Sequence, residues 1–245
     1  MPATIRIAFP VLGAMRGSWN MMRNTPSSCL LAISVYLPAP GRENTPKSRG
    51  RSSDPTGMMA VMAEHWTDRE ITAETFYDDD FRELHTERVV FTECDFSGAN
   101  LTESLHVGSA FRNCTFRRTS LWHSEFRQCS LLGSTFTDCR VRPSKFTETD
   151  FTLSSLAGLD LREMDLSDCR FREANLVGTD MRKANLHGAD FTGARTQNLK
   201  LDGADLRGAR IDPTLWTTAA LIAAKVDLPQ AIAFAAAHGL DVHGG

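Results

Sequence analysis

Long apolar runs are missing from this 245-residue chain. No stretch of about 18 apolar residues occurs, so no segment reads as a membrane-spanning helix. Cysteine is scarce: six in the whole chain are too few for a disulfide scaffold and fit a reducing compartment. A cytoplasmic setting with free thiols is the expectation. Enzyme signatures are lacking too, since the chain has no phosphate loop, no nucleophile elbow and no HExxH. No catalytic residue, cofactor or metal is therefore expected. The one stretch that invites a metal reading is 113–139, with Cys114, His123, Cys129 and Cys139. Its cysteines stand fifteen and ten residues apart, unlike the short C-x2-4-C pairs that hold zinc. Both separations are multiples of five.

Charge is unevenly spread. Residues 1–62 hold seven Lys/Arg and two Asp/Glu, and the rest holds 20 against 28, a net of −8. Within that remainder, 63–105 carries twelve acids and three bases, whereas 106–145 carries two acids and seven bases. Residues 1–61 show no sustained period and are rich in Pro, Ser, Gly, Arg and Met. They read as a disordered extension, or as translated sequence upstream of a start at Met58, Met59 or Met62, with Met62 preferred. The run CLLAISVYL (29–37) has the look of a weak secretory core, but it sits late and lacks a small-x-small cleavage site directly after it.

From Ile71 every fifth residue to Ile211 is a centre. Of these 29 positions 26 are apolar, the exceptions being Thr86, His106 and Thr196. Two residues before each centre, from 89 to 209, Ala, Cys, Ser or Thr stands in 21 of 25 places; Val89, Leu159, Met164 and Leu199 depart. Gly or a polar residue follows two after, as in ANLHGADFTGA (184–194). Residues two apart on an extended strand share a face, so the small residue and the centre both point inward. The other three positions point out, with Gly or Asn supplying positive φ at a corner. A period of five excludes a helix. The pattern predicts an all-β solenoid of stacked parallel coils, each buried centre worth about 1.5–3 kcal/mol. His106 is expected as a neutral, hydrogen-bonded core histidine, and the cysteines as occupants of the small inward position. His123 points outward.

This pattern resembles the pentapeptide-repeat family over about 62–212. The segments LHTER (84–88), ECDFSGANL (93–101), GSAFRNCTF (108–116), TSLWHS (119–124) and AIAFAAAHGL (231–240) are similar to the mycobacterial quinolone-resistance members of that family. The resemblance implies a right-handed quadrilateral β-helix of four pentapeptides per coil. It also implies a homodimer that binds DNA gyrase, imitates duplex DNA and protects the enzyme from fluoroquinolones. No catalysis is implied; direct nucleic-acid binding is disfavoured by the net of −8, and no membrane contact is expected. The alternative is a generic pentapeptide-repeat scaffold with another protein partner.

Magnitudes limit the imitation. Seven coils make a rod of about 34 Å, a length over which B-DNA carries on the order of 20 negative charges. A net of −8 falls short, so the acids must be concentrated. One group, Asp78 to Glu103, crowds the N-terminal end of the repeat. The candidate partner-binding set is the C-terminal group: Asp160, Glu163, Asp165, Asp168, Glu173, Asp180, Asp190, Asp202 and Asp205. Beyond Pro213, in a C-terminal segment of 214–245, TTAALIAAK (217–225) reads as a helix. A second is expected from Asp227 as N-cap, through Pro229, to Gly239. Leu221, Ile222, Val226, Ile232, Phe234 and Leu240 are expected to divide between capping the last coil and a dimer interface, with capping alone the other possibility.

Overall fold

In the computed structural model, which describes residues 64–243, the repeat closes into a parallel β-solenoid with twenty residues per coil. His65 pairs with His85, Glu70 with Val90, Thr75 with Asp95 and Asp80 with Asn100, so each coil has four sides. The same step continues to Asp205 and Lys225. Expectations for 1–61 lie outside the described residues.

Ten short strands form among the described residues. One side stacks His65–Thr67, His85–Glu87, Leu105–Val107, Glu125–Arg127 and Lys145–Thr147. Every strand is centred on an aromatic, β-branched or histidine residue, and none on leucine. The remaining steps, leucine-centred ones and phenylalanine-centred ones such as Phe76, Phe151 and Phe171 alike, make single bridges joined by turns.

The centres form columns. Phe76, Phe96, Phe116 and Phe136 stack with successive ring centroids 4.9, 5.1 and 4.6 Å apart. Phe151, Phe171 and Phe191 repeat this at 5.2 and 5.3 Å. The departures at the small position are matched by their neighbours. Val89 and Leu199 each follow, three residues on, a centre that is Thr rather than Phe or Leu; Leu159 lies among leucine centres. Volume is thus exchanged within the coil, as a close-packed interior requires.

All three polar centres have partners. His106 is fully buried, with Nδ1 2.7 Å from Thr86 Oγ1 and Nε2 3.0 Å from Ser104 Oγ. Thr196 Oγ1 lies 2.8 Å from Thr218 Oγ1. Cys94, Cys114, Cys129 and Cys169 are buried at the small position and Cys139 is half-buried there; all five are free thiols. Cys94 and Cys114 donate to the carbonyls of Ile71 and Phe91 rather than bridging. Burial pushes Cys129 up to about 11 and Cys169 up to about 12.

Corners differ from expectation in one respect. The residue two after the centre adopts positive φ not only at Gly and Asn but at Asp, Glu, Arg, Lys and Leu, as at Glu83 (60°) and Leu153 (60°). Its N–H donates to the next coil, Glu83 to Thr102 O at 3.0 Å and Leu153 to Arg172 O at 2.9 Å. A recovered backbone hydrogen bond offsets the roughly 1–2 kcal/mol that the left-handed region costs a side chain.

The C-terminal end also corrects the sequence reading. Helix α1 is Pro213–Thr218, and 219–226 is not helical. Ala220 bridges Lys200 and Lys225 bridges Asp205, with Leu221 and Val226 packed against the core as two further centres. The five-residue phase therefore runs on through Trp216, Leu221 and Val226. Apolar residues in 217–225 suited a helix, but the open edge of the last coil offered them pairing and burial together. Helix α2, Leu228–Ala237, has Asp227 as N-cap in a capping box with Gln230, and Gly239 follows it at φ 81°. The buried Gln230 amide donates to Leu206 O and Ala209 O, at 2.7 and 2.9 Å, and so closes the final coil.

Desolvation holds His106 down to about 3, against an ordinary 6.5. Its folded form resists protonation, so stability is intact above pH 6.5 and falls as pH drops towards 3, by up to ~1.4 kcal/mol per unit. His106→Leu strands a hydroxyl of Ser104 and is expected to be less stable at pH 7.5 by about 1–3 kcal/mol. Urea midpoints should show that gap narrowing as pH falls to 4.5.

Candidate partner-binding surface

On an extended step the residues flanking a centre both point outward, and the nine acids singled out above lie on such positions or at corners. The structure divides them into two groups. Asp160 is held by Arg162 at 2.7 Å and approached by Arg142 at 3.3 Å. Asp180 is held by Arg182 at 2.7 Å and approached by Arg162 at 3.9 Å. The result is a ladder of alternating charge up one side, from Arg142 to Arg182. Asp205 pairs with Arg207 at 2.6 Å. Asp190 has Arg210 and Arg172 at 3.8 and 3.9 Å, and Glu163 has Arg142 and Lys183 at 3.7 Å.

Neighbouring guanidinium groups hold three of these carboxyls below their ordinary range: Asp160 markedly, Asp180 as well, and Asp205 at about 2. Asp190 is lowered as well, burial opposing its hydrogen bonds from Thr192. Five of the nine therefore present a compensated charge.

The other four make no ion pair among the described residues. Asp165 accepts from Ser167 and Asn185, and Asp202 from the Ile222 N–H. Asp168 and Glu173 occupy adjacent corners. At the N-terminal end Asp80 is paired with Arg82, whereas Asp78, Glu83, Glu93 and Glu103 have no basic partner among the described residues. Sequence reasoning missed the self-pairing, although its signal was present. Asp at one before a centre and Arg at one after, as in DLR, DMR and DLR at 160–162, 180–182 and 205–207, are neighbours on the outer face.

The six apolar residues of the end segment divide as well. Leu221 and Val226 are packed against the core. Ile222, Ile232, Phe234 and Leu240 are exposed, together with Leu228 and Val242. Trp216 lies under this surface, 5.9 Å from the Phe234 ring.

The pentapeptide-repeat model matches residues 94–133, 134–172 and 165–208, with eight copies. The chain is a pentapeptide-repeat protein. It is 64% identical over 61 residues to the pentapeptide repeat protein MfpA of Mycobacterium tuberculosis, a segment of 25% of this chain and 33% of that one. It is 63% identical over 59 residues to MfpA of Mycolicibacterium smegmatis, 24% and 31% of the two chains. The match thus spans about a third of the curated relatives' length. The solved structure of trypsin-treated QnrB1, a plasmid-mediated fluoroquinolone resistance protein, superposes with a TM-score of 0.54 at 19% identity, covering 73% of this chain and 100% of that one. Full-length QnrB1 gives 0.51 at 20%, covering 72% and 100%. These likenesses support the solenoid fold.

No helix among the described residues of this pentapeptide-repeat protein is long and apolar enough to cross a membrane. Replacing Asp180 by Asn removes the partner of Arg182 and a contact of Arg162. The loss expected is only about 0.2–1 kcal/mol, shrinking as salt is added, and denaturant titration at low and high ionic strength checks both.

Proposed function

We propose that the chain is a non-catalytic, cytoplasmic DNA mimic that binds DNA gyrase, modulates its activity and protects it from fluoroquinolones. The observation that carries this reading is the 63–64% identity to MfpA over the matched segment, within the family whose resemblance implies gyrase as partner. In this reading the contact is made by acids that keep their charge: Asp165, Asp168, Glu173 and Asp202 in the C-terminal half, with Asp78, Glu83, Glu93 and Glu103 at the other end. The five compensated acids contribute shape and rigidity rather than field. A homodimer would form through Ile222, Ile232, Phe234 and Leu240, doubling the acids across its axis.

Compensation of so many acids also favours the second reading, a pentapeptide-repeat scaffold for a different protein. Gyrase pull-down and supercoiling assays, with and without a fluoroquinolone, separate the two. Gyrase capture and drug protection support the first; their absence from a folded, dimeric chain supports the second.

The double reversal Asp168→Lys and Glu173→Lys should weaken gyrase binding about ten-fold or more at low salt, and Asp180→Asn should leave it nearly unchanged. Equal effects would remove the distinction between free and compensated acids. Sedimentation should find Ile232→Glu with Phe234→Glu monomeric and the parent chain dimeric.

A further inference from the structure

His65 and His85 occupy the same outward position in successive coils and are parallel strand partners. Their imidazoles stack with centroids 4.3 Å apart and planes 7° from parallel. Glu87 stands on the same outer side, its Oε1 3.8 Å from His85 Nε2. One donor atom from each of the three lies within 4.8 Å of the others. His85 Nε2 is closed off from solvent and has no hydrogen-bond partner among the described residues. A polar ring nitrogen in that condition is the kind of group that needs an explanation.

We propose that His65, His85 and Glu87 form a site for a divalent transition-metal ion of the zinc class. Two imidazole nitrogens and one carboxylate oxygen are a donor set zinc accepts, with a fourth position left for water. Bonds of about 2.0–2.2 Å in a tetrahedron set donor atoms roughly 3.3–3.6 Å apart, so side-chain rotation brings these three to bonding distance. The surrounding charges permit it. Arg88 is engaged by Asp68 at 2.7 Å and approaches Glu87 at Oε2, 3.7 Å away, while Oε1 is the oxygen near His85. The remaining histidines, His106, His123, His187, His238 and His243, belong to no such group among the described residues.

The ion would bridge two coils on the outermost strand pair described, so binding and coil pairing are linked. Its ligands must be deprotonated, so binding weakens in acid.

The test uses the full chain, stripped with chelator and titrated with Zn2+ by calorimetry at pH 7.5. One ion per chain is expected, with a rise in Tm that vanishes at pH 5. His65→Gln and His85→Gln should each weaken binding about ten-fold or more while circular dichroism stays unchanged. Glu87→Gln, which keeps both imidazoles, should weaken it as well. Co2+ should give visible tetrahedral d–d bands without near-ultraviolet thiolate charge transfer. Absence of binding, survival of binding in the folded His65→Gln/His85→Gln double variant, or a thiolate band that assigns the ion to cysteine would each overturn the proposal.

Discussion

The rod depends on a backbone ladder that closes every twenty residues, and that ladder fixes how wide the interior is. With four short sides per coil, each step has room for one large and one small inward side chain. Pairing coil to coil at strand spacing then places each large centre on its equivalent in the next coil. That is why Phe76, Phe96, Phe116 and Phe136 stack nearly face over face, at offsets an isolated aromatic pair need not choose. Side-chain choice follows from the backbone repeat, and the repeat is stabilised in turn by the side chains. Neither forms without neighbours, so stability accumulates coil by coil.

The same dependence explains which exceptions are tolerated. A polar centre survives where the coil above or below offers a hydroxyl or ring nitrogen: Thr86 meets His106 and Ser109, and Thr196 meets Thr218. A large residue at the small position survives where the preceding centre is not phenylalanine, as Thr86 precedes Val89 and Thr196 precedes Leu199. Positive φ survives at Glu, Arg or Leu because the corner N–H finds a carbonyl in the next coil. Volume is answered within the coil, whereas polar centres and corner N–H groups are answered one coil away, about twenty residues off in sequence.

That distance decides what could be read from the sequence. The period of five, the inward pair, the neutral His106, the free cysteines and the second helix follow from relations spanning a few residues. The run 217–225 looked helical because its alanines, with Leu221 and Ile222, satisfy a helix as well as a coil; only the open edge at Lys200 and Asp205 decides between them. The nine acids looked equivalent because a list of charges does not say which arginine lies across the centre. The pairing inside Asp-x-Arg was available from the strand period, whereas Arg142 with Asp160 needed the neighbouring coil. The approach of His65 to His85 needed it too. Neither residue carries a local motif, and their sequence separation hides a ring contact of 4.3 Å.

The two ends of the rod meet the open-edge problem differently. At the C-terminal end the chain continues its own phase through Leu221 and Val226, then turns Gln230 inward, where its amide donates to the Leu206 and Ala209 carbonyls. Helix α2 thereby covers the edge while Ile232 and Phe234 on it stay partly exposed. Exposure of apolar side chains is more than capping requires, and these are the residues the proposed dimer would bury. At the other end the outermost strand pair among the described residues carries stacked imidazoles and a carboxylate, and an ion held there would tie two successive coils together.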